Sequence, residues 1–247
     1  MFYVKLFLMC LWAFTGCLIG LLISPLLRFS SERFGIGMKI VAWGALKIAG
    51  IKVIIEDKHF LEADQPCLYF GNHQSAFDAV TFAFIMPRHT TAVAKSDVRW
   101  VPVLGWWYAA VGGSFITRQK REKAIEELTR FGERLQTEGL SVAMMPEGTR
   151  NRKGYGLLPF KKGPFHLAVL AQVPIVPVIS SPLAHLANFD NKVIRPGTVI
   201  IRGYPAIPTR GLTIDDIDSL MEKVHRLMEK YVLEMEGVVG FVRPKEN

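Results

Sequence analysis

The sequence predicts an α/β fold: a mixed central sheet flanked by helices, preceded by a membrane-associated helical element. Two patterns carry this expectation. Short apolar runs, among them Cys67 to Phe70, Leu140 to Met145 and Pro174 to Ile179, alternate with longer segments of helical periodicity, as in a sheet covered on both faces. Ahead of them, Leu6 to Leu27 holds no charged residue over 22 positions, enough for about 33 Å of helix at ~1.5 Å per residue.

The N-terminal run reads as an uncleaved anchor rather than a signal peptide. It is long, has no A-x-A-like site and is followed by Arg28, Arg33 and Lys39. If it spans, one cation precedes it (Lys5) and three follow, which places the rest of the chain on the cytoplasmic side. Gly37 to Ile51 carries Ile40, Val41, Leu46, Ile48 and Ile51 with Lys39 and Lys47 on the margin, the partly amphipathic pattern of a segment lying in the interface. Residues 1–50 are therefore expected to form the membrane element and 51–247 one further domain, since no polar or low-complexity linker divides the 247 residues.

Within that domain the expected order begins with strand Lys52 to Glu56, strand Cys67 to Phe70, helix Ser75 to Ile85 and strand Thr90 to Ala94. An irregular aromatic stretch with Trp100, Trp106, Trp107 and Tyr108 follows, then a short strand near Phe115. A helix from Lys120 to about Gln136 comes next, with Ala124, Leu128, Phe131 and Leu135 on one buried face. Strand Leu140 to Met145, helix Pro164 to Leu170, strand Pro174 to Ile179, strand Thr198 to Ile201 and an amphipathic helix Ile214 to Leu233 complete it. Pro174 and Pro177 lie in the apolar run Val173 to Val178, which is therefore expected to border a cleft or sheet edge.

Composition narrows the function. Hydrophobic residues make up 50% of the chain, the mean hydropathy is +0.23, and the net charge is +8. The apolar excess points to lipid, and cation clusters at 118–121, 150–153 and 161–162 suit an anionic leaflet at ~1 kcal/mol each. Nucleic acid would also attract this charge, but the apolar N-terminus and the lack of zinc-finger, RNP or basic-zipper patterns argue against it. Cys10, Cys17 and Cys67 show no metal-ligand spacing and suit reduced, cytosol-facing thiols. There is no G-x-S-x-G, Walker, G-x-G-x-x-G or H-E-x-x-H sequence.

Chemistry concentrates in two turns that follow expected strands, where ligands bind in open α/β sheets. In Gly71-Asn72-His73-Gln74-Ser75-Ala76-Phe77-Asp78 a histidine precedes an aspartate by five residues. The two side chains meet only if His73 sits in the turn and Asp78 in the first helical turn. So placed, Asp78 would hold the imidazole for proton abstraction. The same residues also read as a capping pattern, with Ser75 as N-cap and Asp78 as its acidic third residue. The second turn, Pro146-Glu147-Gly148-Thr149-Arg150-Asn151-Arg152-Lys153-Gly154, suits an anion cradle, since glycine admits close backbone approach and arginine pairs bidentately with phosphate. It reads equally as a solvated basic loop with Glu147 and Arg150 paired across it.

With Gly113 to Arg118 between them and Val173 to Val178 beyond, these blocks resemble, in order, the motifs of the glycerolipid acyltransferase family, and within it the lysophosphatidic acid acyltransferases. The resemblance covers roughly residues 50 to 210. Met145, where the family usually has phenylalanine, and Thr117, where aspartate is common, depart from the pattern. The resemblance implies an acyltransferase catalytic domain at 51–247 and a two-helix element seated in one leaflet. It implies His73 as general base and Asp78 as its orienting partner. Arg150 and Arg118 would grip the acceptor phosphate, and Glu147, Gly148 and Thr149 would shape that pocket. Lys95 reads as a phosphate contact or as a surface lysine at a strand end. The expected reaction joins lysophosphatidic acid to an acyl group from acyl-coenzyme A or acyl carrier protein, at the cytoplasmic face of a bacterial inner membrane, with no metal or cofactor implied. An oxyanion hole is needed, with amides near Gly148 and in the 161–164 turn as candidates. Glycerol 3-phosphate or another lysolipid as acceptor, and a non-catalytic lipid-binding protein, are the alternatives.

Overall fold

A computed structural model describes residues 1–23, 31–63, 65–87, 89–110, 113–116 and 121–243. The chain runs α1 (Phe2–Ile23), α2 (Ser31–Ala49), β1 (Ile51–Glu56), α3 (His59–Ala63), β2 (Leu68–Gly71), α4 (Asp78–Ile85) and β3 (Thr90–Lys95). After a 3-10 turn (Ser96–Trp100) come α5 (Leu104–Ala110), β4 (Ser114–Ile116), α6 (Arg121–Glu138), β5 (Ser141–Met144), α7 (Lys162–Ala171) and β6 (Ile175–Ser180). A small hairpin of β7 (Ala187–Asn188) and β8 (Val193–Ile194) leads to β9 (Gly197–Gly203) and α8 (Ile217–Val238).

Among the described residues, seven strands form one mixed sheet in the order β1-β9-β6-β2-β5-β3-β4. All neighbours are parallel except β6 and β9, so β1 and β9 run against the other five. Alternation along each strand feeds two cores. Leu68, Phe70, Val142, Ile175 and Ile179 join the cluster under α6, α7 and α8, while Tyr69, Val176 and Val178 face α2, α3 and α4. The expected architecture is the one observed.

Four local expectations change. The aromatic stretch is not irregular: it folds into the 3-10 turn and α5, stacked so closely that a Cβ on Gly105 would lie 2.3 Å from the Val98 carbonyl oxygen. Trp107 is buried against Cys17 and Val103, whereas Trp100 and Trp106 are exposed. The proline-bearing β6 is interior, between β9 and β2. Pro177 is accommodated because the pairing slips by one residue between Ile175↔Ile207 and Val178↔Gly203, a bulge at which its missing N–H interrupts no ladder. Its carbonyl still accepts from the Tyr204 N–H at 3.0 Å. Third, α4 starts at Asp78 rather than Ser75. Finally, α3 and the β7–β8 hairpin were not expected at all, being too short to show a period.

The N-terminal helices form an antiparallel pair. Lys5 Nζ donates to the Ala49 carbonyl at 2.8 Å, and Trp12 Nε1 to that of Val41 at 3.2 Å. Glycine makes this contact: a Cβ on Gly44 would fall 2.1 Å from the Trp12 ring. The pair sits on the domain through Met9, Ala45, Leu46 and Ala49. The outer surface of α1 is left uncovered, with only 11% of its most apolar window buried.

Candidate active site

The site lies at the carboxyl ends of β2 and β5, which are parallel neighbours in register at Leu68↔Val142 and Phe70↔Met144. Their adjacency brings the two special turns together. Asn72, directly after β2, clips this corner to the end of β6: its Nδ2 donates to the Ser180 carbonyl at 3.0 Å, and its Oδ1 accepts from the Ser180 N–H at 2.9 Å.

His73 and Asp78 meet. His73 Nδ1 stands 2.9 Å from Asp78 Oδ2. The carboxylate cannot donate when ionised, so a neutral imidazole presents Nδ1–H to it and keeps the Nε2 lone pair for an incoming proton. The same Oδ2 accepts from the backbone N–H of Gln74 at 2.6 Å and of Ser75 at 2.8 Å. Asp78 thus makes the backward half of the capping pattern and holds the histidine at once. Ser75 is not the N-cap: its Oγ accepts from the Phe77 N–H at 3.0 Å and donates to the Ala187 carbonyl. Asp78 is wholly buried, and burial raises its carboxyl above the usual range, against the pull of the His73 and backbone hydrogen bonds. The His73 side chain keeps 22% exposure, enough for a substrate to reach it.

Glu147 does not pair with Arg150. Buried at 1% exposure, it accepts from the His73 N–H at 2.7 Å and the Leu158 N–H at 2.9 Å, bridging the histidine turn and the far end of its own loop. Burial pushes its carboxyl up to about 7. Gly148 has φ +68°, the left-handed region that favours glycine, and an added Cβ would meet Lys161 Cγ at 3.0 Å. Thr149 is exposed. Arg150 is partly buried and points to Asp190, 3.8 Å away, in a cleft shared with Gln74, Ser75 and Arg152. Arg118 and the side chain of Lys95 lie outside the described residues. The Gly148 and Lys161 amides, two of the oxyanion candidates, already donate to the Met145 and Pro146 carbonyls.

Sequence reasoning missed several residues that build this corner. Asn151 donates its N–H to the His73 carbonyl at 2.7 Å, and its Nδ2 to the Tyr155 carbonyl at 2.7 Å. Its Oδ1 takes the Lys153 N–H, an Asx-turn signal visible in the sequence as an asparagine in a glycine-rich turn. Glu236, 80 residues beyond Gly156, accepts from the Gly156 N–H at 3.0 Å and from Arg243 Nε at 2.7 Å. No local pattern marks it. Asp190 is the third.

Comparison with known proteins gives the chain a family. Residues 52–181, which contain both turns, match the acyltransferase family. The whole chain aligns at 36% identity with 87% of human 1-acyl-sn-glycerol-3-phosphate acyltransferase beta. With the 1-acyl-sn-glycerol-3-phosphate acyltransferase of Haemophilus influenzae it shares 34% identity over 96% of this chain and 97% of that one. The fold matches the crystal structure of a 1-acyl-sn-glycerophosphate acyltransferase from Thermotoga maritima, with a TM-score of 0.74 and 23% identity over 96% of this chain and 98% of that one. A buried carboxylate holding an accessible histidine, at strand ends inside the matched segment, is thus found in a chain that belongs to the acyltransferase family.

Proposed function

We propose that the enzyme transfers a fatty acyl group from acyl-coenzyme A or acyl carrier protein to the free hydroxyl of lysophosphatidic acid, giving phosphatidic acid. The observation that carries this reading is the His73–Asp78 pair beside a cleft lined by Arg150. His73 Nε2 takes the hydroxyl proton as the oxygen attacks the thioester carbonyl. The carbon–sulfur bond then breaks, and the departing thiolate recovers the proton from the imidazolium, which Asp78 has stabilised. No acyl-enzyme forms, because the nucleophile belongs to the acceptor. Arg150 and Arg118 hold the acceptor phosphate, with Lys95 as a further contact, while Glu147 and Gly148 keep the cradle in shape and Thr149 lines it.

The names of the relatives support this acceptor, and the uncovered apolar side of α1 supports work at a bilayer. The excess of cations after the apolar run, Arg28, Arg33 and Lys39 against Lys5 before it, supports the cytoplasmic face. Residues 1–50 serve as the membrane element and 51–247 as the catalytic domain. Mass spectrometry of products tests the reading: purified full-length protein receives one labelled acyl thioester and a panel of acceptors. Labelled phosphatidic acid from lysophosphatidic acid is expected. Product from glycerol 3-phosphate alone would reassign the acceptor, and no product from any acceptor would point to a lipid-binding role.

A further inference from the structure

The β7–β8 hairpin sets an acid against the arginine cradle. Asp190, in its turn, has Oδ2 3.8 Å from Arg150 Nη1 and 3.7 Å from Arg152 Nε. It stands between two guanidinium groups and closes a short charge-assisted bond with neither, where such bonds usually measure about 2.7–2.9 Å. All three charges are open to water, the Asp190 side chain being 47% exposed. Gln74 also lines this cleft and is 5% exposed. Its Oε1 accepts from the Leu183 N–H at 3.3 Å, but its Nε2 is buried without a hydrogen-bond partner among the described residues. Two cations and an unused buried donor, next in sequence to His73, make a site for an anion larger than one carboxylate.

The turn carrying Asp190 is held in place. Ser75 Oγ donates to the Ala187 carbonyl, Asn188 Oδ1 accepts from the Asn191 N–H at 3.1 Å, and the Phe189 ring packs edge-on against Phe77 at 6.3 Å and Phe2 at 6.2 Å. The acid is therefore fixed over the cradle by the same serine that lies two residues after His73.

We propose that Asp190 is a built-in counter-ion occupying the place of the acceptor's phosphate on Arg150, Arg152 and Gln74, and that it sets acceptor affinity by having to be displaced. The proposal rests on the reading of Arg150 as a phosphate ligand. A phosphomonoester brings up to two charges and three acceptor oxygens, enough to bond both arginines and the amide together, so it displaces the single carboxylate. An uncharged acceptor cannot.

Steady-state kinetics of the full-length enzyme in detergent micelles test this. With Asp190→Asn, the KM for lysophosphatidic acid falls about fivefold, on the scale of one exposed ion pair lost as competitor. Asp190→Glu, which keeps the charge, stays within about twofold of wild type. The KM for acyl-coenzyme A does not move in either variant. An unchanged or raised lysophosphatidic acid KM in the Asn variant overturns the proposal and makes Asp190 a brace for the arginines. A fall in the acyl-coenzyme A KM instead would assign the site to the donor's phosphates, and overturns it too. Asp190→Ser repeats the test if the Asn variant does not accumulate. Failure of the underlying reading shows separately, as absence of phosphatidic acid formation by the wild-type enzyme.

Discussion

At the residue scale, one oxygen of Asp78 carries three hydrogen bonds while the other, Oδ1, is buried with none among the described residues. Asp78→Asn can keep its oxygen toward His73, Gln74 and Ser75, which leaves the amide nitrogen in the unpartnered position. An unsatisfied buried donor costs about 1–3 kcal/mol, so the variant folds with a lower melting temperature. With His73 acting as the proposed base, the larger effect falls on rate: without the charge its imidazolium would lose its partner, and a loss of ~10³-fold corresponds to about 4 kcal/mol of barrier. The measurements are kcat per folded molecule and thermal melting. Normal turnover in the folded fraction would reduce Asp78 to a backbone anchor.

At the element scale, Glu147 joins two loops, since its carboxyl receives N–H groups from the turn after β2 and from Leu158. Burial raises this carboxyl to about 7 from 4.5. Between those values the folded state holds more protons than the unfolded one, so stability falls as pH rises through that window. Below about 4.5 the contribution is fully present; above about 7 its loss is complete, on the order of 3 kcal/mol at most. Wild-type enzyme in detergent is thus expected to melt progressively lower from pH 5 to 7.5. Glu147→Gln, which cannot ionise, should show a shallower slope together with a pH-independent loss of about 1–3 kcal/mol, because its amide turns a donor toward an N–H. Parallel pH profiles for the two proteins would sink this account.

On the scale of the whole molecule, α1 is both an apolar surface and a packing element. Its outer side is uncovered, but Met9 and Cys17 are buried against the domain and α5. Deleting residues 1–30 should move the protein out of the membrane fraction and also uncover Trp107 and Val103, so that the product tends to aggregate without detergent. Activity on vesicle-borne acceptor should fall more than activity on detergent-dispersed acceptor. Equal losses in the two assays would mean that α1 contributes packing alone. The net charge of +8 predicts the direction of the salt effect on vesicle binding: weaker at higher ionic strength.

What the sequence determined by itself was local. Strand-sized apolar runs, the 22-position uncharged segment and the five-residue spacing of His73 and Asp78 each express a constraint between near neighbours, where periodicity and chain geometry suffice. That spacing lets the two side chains meet only with His73 in a turn and Asp78 in the first helical turn, and the structure meets that condition. Tertiary structure decided which strands are adjacent, and hence that the turns after β2 and β5 converge. It also decided that Pro177 sits at an interior bulge, and that Glu147 reaches His73 rather than Arg150. Glu236 and Asp190 reach the site from distant sequence by packing of α8 and the β7–β8 hairpin. A hydrophobic pattern says which face of an element is buried but not against what, and such partners are chosen only when the whole sheet is assembled.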